Sequence, residues 1–283
     1  MRRSVRYLQL AMIQLAAIAV TIIVCVFTTS GQHADQAAMV AASGSSNPML
    51  LAAQHVSANY ILVVAAAIML ASIAVAVVRR RFAEATAACV VFVGASVVTQ
   101  VLKHEVIARP DLAGGWGAYG NSLPSGHATI AIAAACAALF AAPTRSKFVL
   151  APVLVVWSAV AGMGVIAAGW HRPSDVVTAS LVVGFWCSIT ALVVSAARRR
   201  DDNTRVAPTT AQNRSRGLTP VLTVGAAVTA IALCASYASG SGRTLATAIL
   251  TVSTIIATVL GALSVSAGMP AVRAHTARRT ASA

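Results

Sequence analysis

Charged side chains are scarce in this sequence. Only 10% of its 283 residues are Asp, Glu, Lys or Arg, where a soluble domain carries about 25%. A chain so short of charge cannot cover itself with a water-compatible surface, which points to an integral membrane protein. Acidic residues number seven, too few and too scattered to suggest the bridging carboxylate cluster of a two-metal hydrolase, and no metal site is expected. The five cysteines (Cys25, Cys89, Cys136, Cys187 and Cys234) are isolated inside apolar runs. That spacing fits neither a disulfide framework nor zinc ligation, and they read as small buried hydrophobes. Ionisable residues are missing from the middle of the apolar runs and no internal repeat is evident, which argues against a proton relay or a transporter of inverted halves.

What the sequence has in quantity is apolar length: 58% apolar residues and a mean hydropathy of +0.80. Crossing about 30 Å of hydrocarbon takes roughly 20 residues of helix. Apolar runs of that order lie at 7–29, 59–78, 85–103, 125–142, 148–170, 175–196, 219–239 and 244–268. They do not alternate with polar residues as barrel strands do. The expected fold is all-α, a polytopic membrane helix bundle of about eight spans. The basic start of the first run also fits a signal peptide, but its apolar region is longer than such peptides need. Gly31 to Ser57, with Ser, Gly, Asn and Pro at 43–48, reads as a loop. The expected organisation is a six-span domain over 1–197, a linker at 198–218, a two-span hairpin over 219–268 and a tail at 269–283.

The formal net charge of +14 suggests nucleic acid until its distribution is considered. Of the 21 basic residues, all but Lys103, Arg109, Arg172 and Arg243 precede the first span or fall on alternate loops and the tail, Arg145 and Lys147 among them. The positive-inside rule explains this and places both termini in the cytoplasm, with the lipid bilayer and not nucleic acid as the partner. Arginine outnumbers lysine 19 to 2, a bias typical of GC-rich bacterial genomes.

The polar chemistry gathers on the opposite, outer side, in the segments LKHEVIARPDL, PSGH and GWHRPSD. Pro124 and Ser125 suit a helix start, whose free N–H groups and dipole favour an anion, and Gly126 lets a ligand approach the backbone. Lys103 and Arg109 add positive charge, the arginine as a two-pronged donor. His127 and His171 can act as nucleophile and proton donor near neutral pH, and Asp175, four residues after His171, can fix its tautomer. Each element also has an ordinary use: an interfacial anchor, a capped helix start or a turn-closing pair. Their coincidence on one surface favours a phosphate site.

These residues resemble the type 2 phosphatidic acid phosphatases, whose pattern is a lysine before an arginine-proline pair, then PSGH, then serine-arginine with a histidine and aspartate downstream. The resemblance covers Lys103, Arg109-Pro110, Pro124 to His127, and His171 with Asp175. It implies a six-helix membrane core, no metal or other cofactor, and hydrolysis of a membrane lipid phosphate. In that reading His171 attacks phosphorus to form a phosphohistidine, Asp175 orients it, and His127 protonates the leaving alcohol. Lys103, Arg109, Ser125 and Gly126 hold the phosphate oxygens. Two departures stand out. The lysine lies six positions before the arginine instead of seven, and the serine-arginine pair is replaced by Gly164 and Val165. Arg172, beside the expected nucleophile, is the candidate replacement for the missing arginine. Phosphatidic acid, phosphatidylglycerol phosphate and polyprenyl phosphates or diphosphates are all open as substrates, so the expected enzyme is a phosphoric monoester or diphosphate hydrolase. A catalytically degenerate lipid-phosphate or protein binder and, less favoured, a transporter are the competing functions. His33 and His55 are expected to face solvent, Trp116 and Trp170 to belong to an interfacial aromatic belt, and Gly162, Gly164 and Gly169 to allow close helix packing.

Overall fold

A computed structural model describes residues 2–112, 120–201 and 244–267. All regular structure in them is helical: α1 (Arg2–Phe27), α2 (Thr29–Ser43), α3 (Pro48–Val78), α4 (Phe82–Val101), a π-helical turn (Leu102–Val106), α5 (Gly126–Ala141), α6 (Thr144–Ala167), α7 (Pro173–Asp201) and α8 (Thr244–Ala267). Five of these stretches are long and apolar enough to cross a membrane: Ser4–Phe27, Pro48–Val78, Phe82–Val106, Thr144–Ala167 and Pro173–Ala196. The expected polytopic helical bundle is therefore what the chain forms. The expected linker begins at 198, but α7 continues through Asp201; the rest of the linker, the expected span at 219–239 and the tail lie outside the described residues.

The bundle is built around α5. This helix has 16 residues, and from Ala128 to Ala141 all but Ile130 are buried. α3, α4, α6, α7 and α8 all pack on it. A run of alanines gives it this position: small side chains let neighbouring backbones approach, and close packing holds membrane helices together where lipid is as apolar as the core. Gly164 does the same between α6 and α3. A Cβ there would clash with the Ala53 carbonyl oxygen and the Ser57 hydroxyl. Gly169 has a different use from the one expected: with φ +72° it makes the turn leaving α6. Large apolar side chains such as Val63, Leu70, Val93, Val153 and Val156 are exposed on α3, α4 and α6, as suits helices facing hydrocarbon.

The expected loop over Gly31 to Ser57 is largely helical. Thr28 caps α2, its hydroxyl oxygen accepting the Gly31 N–H at 3.0 Å, and Asn47 caps α3, its Oδ1 accepting from the Met49 N–H at 2.9 Å with Pro48 in the first turn. α2 packs against α1, α6, α7 and α8. Lys147, expected in a loop, is buried, and its Nζ donates to the Ser266 carbonyl at 2.9 Å, satisfying an end group of α8. A cleft of about 910 Å³ between α3, α5 and α6 opens near Arg79 and Arg145 and contains none of the polar motif residues.

Candidate active site

Three chain segments converge at one end of the bundle. The first leaves α4 through the π-helical turn, which carries Lys103, and becomes extended at Ile107 (φ −99°, ψ 100°) before Arg109. The six-residue lysine–arginine offset thus falls in chain that is not α-helical, where the rotation of about 100° per residue does not apply. Arg109 is partly buried. One terminal nitrogen reaches the Cys25 carbonyl at 3.4 Å, and the other is buried without a partner. Its guanidinium is pushed below the usual arginine range, first by burial and then by the charge of Arg172. Two guanidinium groups near each other, one with an unsatisfied donor, favour an anion between them.

The second segment enters α5. Ser125 is the cap: its Oγ accepts the Ala128 N–H at 3.2 Å, and its own N–H donates to the Asp175 carbonyl at 3.0 Å. Ser122 to Ser125 are buried, whereas Gly126 and His127 are partly open. The first-turn N–H groups of α5 therefore begin at an accessible surface, as an anion site requires. Asn121 braces this entry, its Nδ2 donating to the carbonyls of Lys103 at 3.0 Å and Leu123 at 2.9 Å.

The third segment is the α6–α7 turn. The N–H groups of Trp170 and His171 both donate to the Val165 carbonyl, at 3.2 and 3.3 Å. His171 Nδ1 and Asp175 Oδ2 are 3.2 Å apart, and the same oxygen accepts the Arg172 N–H at 2.9 Å. Asp175 thus both pairs with the imidazole and caps α7. An Nδ1–H directed at a carboxylate leaves Nε2 with the free lone pair. The His127 and His171 ring centroids are 6.2 Å apart, and Lys103 and His171 both lie within electrostatic range of His127. Trp170, expected in a membrane belt, packs on the His127 ring with centroids 5.5 Å apart.

Arg172 is buried, with Nε donating to Gln36 Oε1 at 2.7 Å and a terminal nitrogen donating to Ser122 Oγ at 2.6 Å. Nε and one terminal nitrogen are thus held by neutral partners while the charge acts on the space around Arg109. Val165, at the place of the missing arginine, is fully buried in the apolar core. His33 and His55 are exposed, and Trp116 lies outside the described residues.

Sequence reasoning missed several polar contributors, among them Asn121, Ser122, Asp35 and Gln36. The first two precede PSGH directly, and an Asn-Ser pair before a helix start is a turn signal that could have marked them. Asp35 and Gln36 belong to the helix read as loop. Among the described residues no group of three or more His, Cys, Asp or Glu side chains is placed to hold a metal ion.

Residues 84–200, less than half of the chain but including every motif residue above, match the family model of the PAP2 superfamily. The match is consistent with a type 2 phosphatidic acid phosphatase family member and supports phosphatase-type activity on phosphate esters. No curated protein and no solved structure gives a match.

Proposed function

We propose that this PAP2-superfamily chain is a membrane phosphatase that removes a phosphate from a lipid through a phosphohistidine on His171. The observation that carries the reading is the buried His171–Asp175 pair, with a second histidine ring 6.2 Å from the first. The two rings are near enough to serve a single phosphoryl group, one as nucleophile and the other as proton donor to the leaving oxygen.

In the first half-reaction His171 Nε2 forms a bond to phosphorus as the bond to the leaving oxygen breaks. The electron pair departs with that oxygen, which takes a proton from His127. Asp175 holds the Nδ1–H and stabilises the positive charge that the ring acquires. In the second half-reaction water gives a proton to His127 and attacks phosphorus, and the N–P bond breaks back onto Nε2. Lys103, Arg109, the charge of Arg172 and the α5 terminus at Ser125 and Gly126 compensate the developing negative charge, an effect strongest where water is excluded. No step calls for a metal ion.

The lipid character of the substrate rests on place: the site lies where apolar helices end, so a headgroup phosphate can reach it while its chains stay in hydrocarbon. The arginine pattern favours the outer face with both termini cytoplasmic. Phosphate release from phosphatidic acid, phosphatidylglycerol phosphate and polyprenyl phosphates by purified protein, with and without EDTA, tests the reading. Release that persists in EDTA and is lost in His171→Ala supports it. EDTA-sensitive release restored by a divalent ion contradicts it. Val165 in place of an arginine favours a second reading, a degenerate binder, and that reading holds if every substrate stays intact.

A further inference from the structure

The buried face of α2 carries Gln32, Asp35 and Gln36, spaced three and one residues apart so that all three lie on one side of the helix. Each grips a different part of the site. Gln32 Nε2 donates to the Pro110 carbonyl at 2.7 Å and its Oε1 accepts the Leu112 N–H at 3.3 Å, which clamps the chain just after Arg109. Gln36 accepts from Arg172 Nε. Asp35 takes both donors of Ser174: Oδ1 accepts the backbone N–H at 3.0 Å, and Oδ2 accepts the hydroxyl. Ser174 stands immediately before Asp175 in the first turn of α7.

We propose that α2 aligns the two cationic segments of the site, with Asp35 as a positioning residue that fixes Ser174 and so holds Asp175 against His171. The inference rests on the phosphohistidine reading above. Asp35 touches none of the reacting atoms; it acts through the α7 first turn. The alternative, a carboxylate present only for fold stability, is physically unattractive at this position. The group is fully buried, and burial and the charge of Asp175 raise its pKa from 3.8 to about 6, against the lowering by Ser174 and Arg109. Stability alone would be served by a neutral side chain of the same shape. A carboxylate offers two acceptors that bind Ser174 more strongly than amide groups do, which fixes the turn more tightly.

The test compares full-length wild type, Asp35→Ala and Asp35→Asn in detergent, by hydrogen exchange over residues 171–177 and by the kinetics of phosphate release. Asparagine keeps the geometry, since its Oδ1 can accept the Ser174 N–H while its Nδ2 donates to the hydroxyl oxygen. Asp35→Ala is expected to lower kcat at least about 10-fold with KM within about 3-fold, and to move the pH–rate profile. Exchange over 171–177 should speed up while that of 128–140 stays unchanged. Asp35→Asn should restore kcat to within about 5-fold of wild type. Unchanged exchange over 171–177 in Asp35→Ala overturns the proposal. So does a kcat loss with an unmoved pH profile and no rescue by asparagine, since that marks only a lower folded fraction. If Asp35→Ala does not fold, Ser174→Ala decides: it removes the hydroxyl bond alone and should show the same changes at about 3-fold in kcat, and a silent variant overturns the proposal. A wild type that releases no phosphate defeats the phosphatase reading instead, and the exchange comparison still decides what Asp35 holds.

Discussion

Replacing Arg172 with alanine separates its two uses. The side chain gives one hydrogen bond to Gln36 and one to Ser122, both buried. Each partner left unpaired costs about 1–3 kcal/mol of stability, so the variant should melt several degrees below wild type. Its effect on rate is a separate quantity. If Arg172 compensates for the arginine absent at position 165, the transition state loses about one charge-assisted interaction, about 1.5–3 kcal/mol or roughly 10- to 150-fold in rate. Arg109→Ala, which removes the guanidinium with the unpartnered donor, should cost a similar factor. Arg172→Lys should fall between alanine and wild type, because it keeps the charge and loses the forked donor geometry. Adding Val165→Arg to Arg172→Ala restores part of the loss if the new guanidinium reaches the same phosphate. Val165 is fully buried, however, and its carbonyl receives the His171 N–H, so the double variant should also lose stability. The assay is phosphate release from mixed micelles at temperatures where each variant stays folded. An Arg172→Ala rate within 2-fold of wild type would refute the compensation argument.

Asp35→Asn should melt at a higher temperature than wild type at pH 7 to 8, with the gap closing toward pH 4. The raised pKa, from 3.8 to about 6, means the folded state favours the protonated form. Its contribution is full below the unfolded value and is lost as pH rises through about 6, on the order of 3 kcal/mol; parallel melting curves across pH 4–8 would contradict this. Gly164→Leu should lower the melting temperature strongly by forcing α6 away from Ala53 and Ser57 on α3, an overpacking cost of about 1–3 kcal/mol or more. A variant that melts with wild type would contradict the close approach. Reporter fusions after Arg200 and within Gly114 to Gly120 should report opposite sides of the membrane, and the same side for both would overturn the outward-facing site.

Much of this was legible in the sequence because membrane chemistry writes plainly. The apolar runs gave the helices, and the four-residue spacing of His171 and Asp175 gave a pair that the structure brings to 3.2 Å. Ser125 was readable as a cap by the same local logic. What stayed hidden was local order with little apolar content. Helix α2 has caps in its sequence, Thr28 before it and Gly44 after it, yet its mix of Gln, His, Asp and Ala offers no membrane-length run and reads as loop. Nothing in that stretch marks Asp35 as buried. Lys147 was placed in a loop because the charge rule assigns side, not burial. Arg109 before Pro110 is biased out of helix, which lets the lysine–arginine offset be absorbed there, but the π-helical turn at Leu102–Val106 has no sequence signature. Trp170 was assigned by its depth, and only the turn through Gly169 lays it on His127.

The proposed mechanism depends on phosphorylation of His171 during turnover. Brief incubation of purified wild type, His127→Ala and His171→Ala with a ³²P-labelled lipid phosphate, followed by alkaline quenching, measures it directly. Wild type should give an acid-labile, alkali-stable phosphoprotein, His127→Ala should accumulate it when the leaving group is activated, and His171→Ala should give none. Phosphate release by His171→Ala at the wild-type rate, or label retained on that variant, would contradict the phosphohistidine mechanism.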